Sequence, residues 1–470
     1  MSDSTPNLNM PARTNRSDVT SQPRSQVQNS LVTVDLPSLV PLMYALMFRN
    51  VASDGFTFSD PQAPGDISKD AKPGCILAAP SFPADTPGID EDYVFNWVRD
   101  GAITAMEVAK ADLPTRPGGT VQTLNDYVQF AGLCHANAQP TKGHACFTIA
   151  GDSRPWTEQN DGPAMQTITI LAAYDQLDAG VQKTAVDLVN ANVAFLLEAY
   201  KQPTTNLWEE HIGYSFFARA AQLRCFEEVL ATSVAGINKP NELQPAVDWL
   251  RQALDGHWDG QKYISMMADP GNGGAPSPQH PVVDGYDPNI DIVQACVYGG
   301  VRCTDTKMLA TAAQLRSQWE EGGMALYPIN KADKELGLGP LFGRYPGDVY
   351  DGDAAHPVLG GHPWALSTCN VAELHYMLAA EIRSSGQIPF DDLSAPFFAQ
   401  SGIVSSTAAA AAAALVATGD AMVRAVVYHS DNLEISEQFD GMTGYERSVH
   451  NLTWSYASYL SAMRARATAV

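Results

Sequence analysis

The feature that most constrains the fold of this 470-residue chain is a helical periodicity that recurs about twelve times. In each of these segments apolar residues return at steps of three and four, the spacing of one face of an α-helix. The predicted helices span residues 36–49, 99–110, 120–133, 163–178, 181–200, 215–231, 241–254, 289–302, 306–321, 363–383, 407–428 and 448–465. No sequence repeat of fixed period accompanies them, so a solenoid is not supported. The simplest architecture is a single all-α barrel built from helix pairs.

Long segments rich in Gly, Pro and Asp connect the predicted helices and contain no convincing strand-like alternation. They span residues 51–96, 135–162, 256–288 and 325–362. Irregular connections of this length in a compact helical protein are usually functional or disordered, and these are dense in Trp, Tyr, Arg and Asp. We therefore expect the loops to build a pocket.

Residues 1–30 are dominated by Ser, Thr, Asn, Pro, Gln and Arg, which predicts a disordered tail before one domain over residues 31–470. The amino terminus lacks the basic-then-apolar pattern of a cleavable signal sequence. The sequence contains no run of about 18 or more apolar residues, so we do not expect a membrane span. The sequence is compatible both with secretion and with a location inside the cell.

The charge balance excludes two classes of partner. The chain carries 29 Lys and Arg against 52 Asp and Glu, a formal net charge of −23 that repels nucleic-acid phosphates and anionic lipid headgroups. We expect neither nucleic acid nor a membrane as a partner. The seven cysteines never form the paired C-x-x-C spacing of a zinc site, and the histidines form no ligand pair, so we predict no metal and no cofactor.

Four loop regions carry most of the side chains suited to chemistry. They are Tyr93–Asp100, Leu207–Phe217, Gly343–Tyr350, and Ser436–Asp440 together with Leu452–Ala457. In the second region, Glu209 and Glu210 follow Trp208. Desolvation beside an aromatic surface and a neighbouring carboxylate both raise the pKa of a carboxyl group, as a general acid requires. The alternative is a pair of solvated acids at a helix N-terminus.

The other regions also allow two interpretations. Asp100 either binds the hydroxyl groups of a ligand or caps the helix that follows. Arg344 and Asp348, framed by tyrosines, either hold a sugar against stacked rings or pair with each other in a surface turn. Glu437 taken alone is an ordinary exposed acid.

Several motifs, in the same order, resemble the fungal-type catalytic domain of the glucoamylases, glycoside hydrolase family 15. The matching segments are Trp97–Asp100, Gln159–Ala164, Leu207–Glu210, Gly343–Pro346, Pro363-Trp364, Ser436–Gln438 and Leu452–Tyr456, within a resemblance from about Ala45 to Leu460. The resemblance implies an (α/α)6 barrel whose long loops form a catalytic pocket at one end. This agrees with the independent count of about twelve helices.

The resemblance also implies an activity and the residues that carry it. The expected enzyme is an inverting, exo-acting hydrolase that releases β-D-glucose from non-reducing ends of α-1,4-glucans such as starch, glycogen and maltooligosaccharides. Glu209 would be the general acid and Glu437 the general base, with their carboxyl groups about 6.5–9.5 Å apart to admit a water. Substrate-binding roles are implied for Tyr93, Trp97, Arg99, Asp100, Leu207, Trp208, Glu210, Arg344, Asp348, Tyr350 and Trp454. We expect the protein to be a monomer whose partner is the glucan.

The chain departs from the family pattern at three places. Where the family has Trp-Gly-Arg-Pro before the Asp-Gly-Pro motif, this chain reads Gly151–Glu158, so the expected tryptophan is displaced. Either Trp156 substitutes for it or a binding subsite is weakened. The loop over residues 350–363 is longer than usual and includes His356 and His362. No starch-binding module follows residue 465, so we expect raw granules to be poor substrates.

Two other functions stay open. One is hydrolysis of a related α-glucosidic linkage, of the trehalose or dextran type. The other is a catalytically silent glucan-binding protein, because glucoamylase-like domains also occur in regulatory subunits of phosphorylase kinase. The presence of both Glu209 and Glu437 favours an enzyme.

Overall fold

The computed structural model describes residues 33–53, 70–81, 92–111, 119–271, 274–320, 326–350, 352, 358–404 and 407–470. The predicted tail over residues 1–30 lies outside these ranges and stays a prediction. The described residues form fourteen α-helices and seven short β-strands. The helices are α1 (Val40–Phe48), α2 (Val98–Lys110), α3 (Gly119–Asn137), α4 (Asp161–Ala173), α5 (Ala179–Ala199), α6 (Phe216–Ala231), α7 (Leu243–Asp255), α8 (Asp291–Val297), α9 (Thr306–Glu320), α10 (Pro328–Glu335), α11 (Ala365–Ser385), α12 (Ala395–Gln400), α13 (Ala408–His429) and α14 (Thr453–Ala469).

Twelve of these helices form two concentric rings. The inner ring closes on itself, since α2 packs on α4, α4 on α6, α6 on α8, α8 on α11, α11 on α14, and α14 on α2. Each inner helix is covered by an outer one: α3 on α2, α5 on α4, α7 on α6, α9 on α8, α13 on α11 and α1 on α14. The predicted (α/α)6 barrel is therefore confirmed.

The two rings differ in how their helices are buried. The outer helix α7 buries one stripe, formed by Leu243, Ala246, Val247, Leu250 and Leu254, as an amphipathic helix does. Inner helices are buried on nearly all sides and also carry polar residues. In α14, the buried hydroxyls of Ser455, Ser458 and Ser461 are all hydrogen-bonded, to Ser436, Tyr298 and Glu373 respectively. Such pairing offsets the cost of burying a hydroxyl group.

The structure differs from the predicted helices mainly at α8, which ends at Val297 and not at residue 302. Gly299 and Gly300 follow it and lie tight against α6. A Cβ atom on Gly299 would come within 2.8 Å of Ala220, and one on Gly300 within 2.9 Å of Leu223. Only glycine permits the backbone to lie this close to α6. The helix therefore ends at this pair of glycines and the chain turns away. The short helices α10 and α12 also fall outside the predicted helical segments.

Gly299→Ala is expected to lower the free energy of unfolding by about 1–3 kcal/mol, because the added methyl group overpacks the contact with α6. The midpoint of urea unfolding measures the change. Gly180→Ala, near the start of α5, is the matched control because nothing lies within 4 Å of its Cβ position. There the better helix propensity of alanine is expected to be neutral or stabilising. Equal midpoints for the two variants would contradict the packing argument.

The β-strands lie in the loops before five of the six inner helices and gather those loops at one end of the barrel. β1 (Phe95–Trp97) pairs with β2 (Cys146–Thr148) and leads directly into α2. β3 (Thr204–Thr205) and β4 (Ile212–Ser215), which precede α6, form a small antiparallel sheet with β5 (Met266–Met267), which lies in the loop before α8. β6 (Gln438–Phe439) pairs with β7 (Glu446–Arg447) before α14. The loops that carry the candidate site residues thus lie at the N-terminal ends of the inner helices.

Two further features concern the cysteines and α13. All seven cysteines are free thiols, and all but Cys303 are buried. In the described part of the chain, α13 is the one helix long and apolar enough to cross a membrane. It packs along α11, and 61% of its apolar window is buried inside the protein. Its apolar composition is therefore explained by its place in the outer ring.

Candidate active site

A pocket of about 390 Å³ opens at the N-terminal ends of the inner helices. It is lined by Ala78, Asp92, Tyr93, Trp97, Arg99, Asp100, Arg154, Trp156, Leu207, Trp208, Glu209, Glu210, Arg344, Tyr350, Trp364, Glu437, Leu452 and Trp454. The structure thus brings together all the site residues predicted from the sequence except Asp348, which lies behind Arg344. The four loop regions converge although they are far apart in the chain.

Arg99 and Asp100 lie in the first turn of α2, where β1 ends at Trp97. The guanidinium of Arg99 is 3.3 Å from Asp100, 3.3 Å from Asp161 and 3.6 Å from Glu209. The N-cap interpretation of Asp100 is wrong, because Trp97 occupies that position and the Asp100 carboxyl lies in the pocket wall. Burial raises the pKa of Asp100, and Asp161 adds to this while Arg99 opposes it.

The loop between β3 and β4 is held by one buried side chain, Asn206. Its Oδ1 accepts hydrogen bonds from the backbone N–H groups of Glu210 and His211, and its backbone carbonyl accepts one from Glu209. Within this loop Glu209 has a φ of 64°, in the left-handed region. A non-glycine residue in that region costs on the order of 1–3 kcal/mol, so the surrounding contacts must hold it there.

Glu209 lies in a largely buried environment. Burial raises the pKa of its carboxyl, and the nearby carboxylates of Asp100 and Asp161 raise it further, while Arg99 and the Trp156 hydrogen bond lower it. The indole Nε1 of Trp156 donates to Oε2 of Glu209 at 2.7 Å. Trp156 therefore occupies a place beside the candidate acid despite its displaced position in the sequence.

Glu210 points to a different set of partners. Its carboxylate is 2.8 Å from Nη2 of Arg344 and accepts hydrogen bonds from the hydroxyl of Tyr345 at 2.9 and 3.0 Å. Glu209 and Glu210 do not lie at the N-terminus of α6, because that helix begins six residues after Glu210 and is capped by Ser215. The expectation that Glu210 raises the pKa of Glu209 also needs correction, since the carboxylates that raise it are Asp100 and Asp161.

Arg344 forms a bidentate pair with Asp348, with bonds of 2.8 Å from Nε and 2.6 Å from Nη2. The two residues do pair, as one interpretation held, but not in a surface turn, because Asp348 is fully buried and Arg344 nearly so. The Arg344 guanidinium lies 5.1–5.4 Å from the ring centroids of Trp208, Tyr350 and Trp364. This cation–π packing fixes the direction of its remaining donors.

Glu437 is 2% exposed, so its interpretation as an ordinary exposed acid is wrong. The hydroxyl of Tyr93 donates to its Oε1 at 3.1 Å, and that of Tyr350 to its Oε2 at 3.2 Å. The hydroxyl of Ser448 also donates to Oε2. Three O–H donors suit a carboxylate that acts only as an acceptor. Glu209 and Glu437 thus line one pocket in different environments, one beside other carboxylates and one among hydroxyl donors.

Sequence reasoning missed Arg154, Asp92 and Trp364 as pocket residues. Arg154 lies 3.8 Å from the ring centroid of Phe95 and 4.4 Å from that of Trp156, and its guanidinium is 3.7 Å from Asp92. Trp364 belongs to the Pro363-Trp364 motif, so the resemblance could have identified it as a pocket residue. Arg154 and Asp92 had none, because they belong to loops whose course is set by the fold.

Comparison with known proteins identifies relatives over most of the chain. The model of the family "Glycosyl hydrolases family 15" matches residues 62–464. A glucoamylase of Blastobotrys adeninivorans is 28% identical, covering 87% of this chain and 69% of the relative. The intracellular sporulation-specific glucoamylase of Saccharomyces cerevisiae is 25% identical, covering 86% and 80%.

The fold is also similar to solved structures. The glucoamylase of Saccharomycopsis fibuligera superposes with a TM-score of 0.74 at 20% identity, covering 93% of this chain and 96% of that one. At this identity the likeness bears on the fold alone, and it agrees with the two rings of helices described above. The family model covers far more than half of the sequence. The chain therefore belongs to glycosyl hydrolase family 15.

Proposed function

We propose that the protein is a glucan 1,4-α-glucosidase that hydrolyses α-1,4-glucans from their non-reducing ends with inversion, releasing β-D-glucose. The observation that carries this proposal is the presence of Glu209 and Glu437 in the wall of one pocket of about 390 Å³. Membership of glycosyl hydrolase family 15 and the named glucoamylase relatives support the substrate class.

Glu209 is assigned as the general acid. Its carboxyl has a raised pKa, caused first by burial and then by Asp100 and Asp161, and a raised pKa keeps the proton that the leaving glycosidic oxygen must receive. Trp156 fixes the carboxyl from one side through the 2.7 Å hydrogen bond. When the bond to the anomeric carbon breaks, this proton passes to the oxygen of the departing glucan.

Glu437 is assigned as the general base. Its carboxylate is held by the hydroxyls of Tyr93, Tyr350 and Ser448, which fix its direction. It would take a proton from a water molecule as the water oxygen attacks the anomeric carbon on the face opposite to the departing group. Attack from that face inverts the configuration, so the α-linkage yields β-glucose.

The remaining polar residues suit the recognition of a terminal glucose. Arg99 with Asp100, and Arg344 with Glu210, are paired donors and acceptors on two sides of the pocket, and such pairs match the vicinal hydroxyl groups of a sugar. Trp208 and Trp454 add aromatic faces suited to the apolar faces of the ring. A pocket of this kind accepts a chain end, which explains exo action. Asp348 acts through Arg344 by holding its guanidinium.

Proton NMR of the full-length protein mixed with maltopentaose tests the proposal. Anomeric signals are recorded before mutarotation mixes the two forms. Early β-glucose is the expected result, and early α-glucose would contradict the inverting mechanism. Faster cleavage of trehalose or of α-1,6-linked isomaltose would move the assignment to a related linkage. The absence of cleavage on all of these substrates would favour a glucan-binding protein without turnover.

Trp156→Phe is expected to lower kcat/KM for maltopentaose by roughly tenfold, because the indole N–H stabilises the negative charge that develops on Glu209 as it gives up its proton, and a hydrogen bond to a charged group contributes about 1.5–3 kcal/mol. The indole N–H lowers the pKa of Glu209, so its removal raises that pKa. An acid that works while protonated then stays active to higher pH, and the alkaline limb of the profile of kcat/KM against pH moves upward. Trp249→Phe on α7, away from the pocket, is the control. An unmoved alkaline limb in Trp156→Phe would contradict the contact.

A further inference from the structure

A second and larger cavity, of about 1510 Å³, occupies the opposite half of the barrel. Its walls come from the C-terminal halves of α2, α11 and α14, from α6, and from the turn after α8. The helix α8 has only seven residues, whereas the other inner helices have 13 to 21. Since α8 stops early at the Gly299-Gly300 turn, the space along the barrel axis that its continuation would fill stays open.

A hydrogen-bonded wall separates this cavity from the active pocket. Tyr298 lines the cavity, and its hydroxyl accepts hydrogen bonds from Trp454 Nε1 at 3.0 Å and from Asn370 Nδ2 at 2.9 Å. With both acceptor sites of the phenol filled, its own proton goes to Ser458, 3.1 Å away. Trp454 lines the active pocket on the other side. The two spaces share a wall and are distinct sites.

The charged side chains of the cavity wall nearly balance, with five Lys and Arg against six Asp and Glu, and two ion pairs join them. Arg464 contacts Glu107 at 2.6 Å, and Arg251 contacts Glu227 at 2.6 Å. The wall therefore offers donors and acceptors without a strong excess charge, which favours a neutral polar ligand over an ion. The same combination of paired arginine and carboxylate groups lines the active pocket.

One buried acceptor in this wall has no protein partner. Glu373, on α11, is 4% exposed, and its Oε1 accepts a hydrogen bond from Ser461 at 2.7 Å. Its Oε2 has no hydrogen-bond partner in the described part of the chain and exposes less than 1 Å² of surface, so a ligand in the cavity reaches it after the side chain rotates. Burial raises the pKa of this carboxyl to about 7, so near neutral pH it can either accept or donate a hydrogen bond. A buried polar atom without a partner is costly unless a ligand or water satisfies it.

We propose that this cavity is a second binding site, which takes a neutral polyhydroxylated molecule of saccharide size through the mouth at the C-terminal ends of the inner helices. Ligand hydroxyl groups satisfy Glu373 and bridge the paired charges around Arg464. The volume exceeds the about 300–1,000 Å³ of a typical small-molecule site, so it admits a mono- or disaccharide together with water. The site is separate from the proposed hydrolytic function and does not depend on it.

Equilibrium dialysis with labelled glucose tests the proposal on the full-length protein. We expect two glucose sites per chain, one in the active pocket and one beside Glu373. Met377→Trp narrows the cavity from α11 and is expected to leave one site, with hydrolysis of maltopentaose unchanged. Leu42→Trp, an equally large replacement on the exposed face of α1, is the control and keeps two sites. A single site in the parent protein overturns the proposal.

Glu373→Gln provides a second measurement that does not depend on filling the cavity. The amide keeps the shape of the side chain but changes its donors and acceptors, and about a tenfold loss of affinity at the second site is expected. Crystals of the parent protein soaked in glucose are expected to show the sugar within hydrogen-bonding distance of Glu373. Water alone in this cavity, with glucose confined to the active pocket, overturns the proposal. Glucose bound beside Glu373 in a chain that cleaves no glucan would instead overturn only the proposed function.

Discussion

Glu209→Gln is expected to lower kcat for maltopentaose by about 10²–10⁴-fold, the range that a positioned general acid contributes. Glutamine keeps the size of the side chain and can still accept the hydrogen bond of Trp156, but it holds no proton for the glycosidic oxygen. The binding of the terminal glucose depends on other residues, so KM is expected to change far less than kcat. Initial rates over a range of maltopentaose concentrations separate the two effects.

A substrate with a better leaving group makes this test specific to the acid. α-D-Glucosyl fluoride releases fluoride without needing a proton, so Glu209→Gln is expected to hydrolyse it at close to the parent rate. Glu158→Gln, a change of the same chemistry outside the pocket lining, is the control. If Glu209→Gln lost activity equally on both substrates, Glu209 would not be the proton donor.

Glu437→Gln is expected to lower kcat by about 10²–10⁴-fold on maltopentaose and on glucosyl fluoride alike. Both reactions need a water molecule activated on the far face of the sugar, whatever group departs. Affinity for maltooligosaccharides is expected to stay largely intact, because the hydroxyls of Tyr93, Tyr350 and Ser448 can still hold the amide in place. Binding of maltose followed by calorimetry, beside the two rates, measures this.

Glu446→Gln is the matched control for Glu437→Gln. Glu446 lies on β7, beside the strand that follows Glu437, and its carboxylate contacts Ser436 and His450 without lining the pocket. It is expected to keep near-parent rates on both substrates. Turnover near the parent level in Glu437→Gln would remove this residue from the mechanism. The two glutamate variants thus make opposite predictions for glucosyl fluoride, which distinguishes the acid from the base.

The helices were predictable because apolar periodicity is a local property of the chain. All twelve predicted segments correspond to helices of the two rings, and the count already favoured a barrel of helix pairs. The main error in length lies at α8, where the close approach of Gly299 and Gly300 to α6 ends the helix. Local periodicity does not report such a contact, because it depends on a partner about 80 positions earlier in the chain.

The pocket could be predicted as a set of residues but not as an arrangement. Motifs that carry Glu209, Glu437, Arg99 and Arg344 identified the participants. The motifs did not predict the direction of each side chain, as Glu209 and Glu210 show. Adjacent in sequence, they contact separate groups, Trp156 with Arg99 in one case and Arg344 with Tyr345 in the other. The displaced Trp156 likewise reaches Glu209 only because two loops meet.

The sequence by itself therefore determined the helical class, the number of helices in the two rings and the identity of most pocket residues. Periodicity and short motifs depend only on residues that are close together in the chain. Tertiary structure alone decided which carboxylates perturb Glu209, which hydroxyls hold Glu437, and that Asp348 stands behind Arg344. It also decided that the barrel keeps a second cavity beneath Tyr298. These properties depend on distances between segments remote in the chain, and burial and Coulomb interactions depend on such distances.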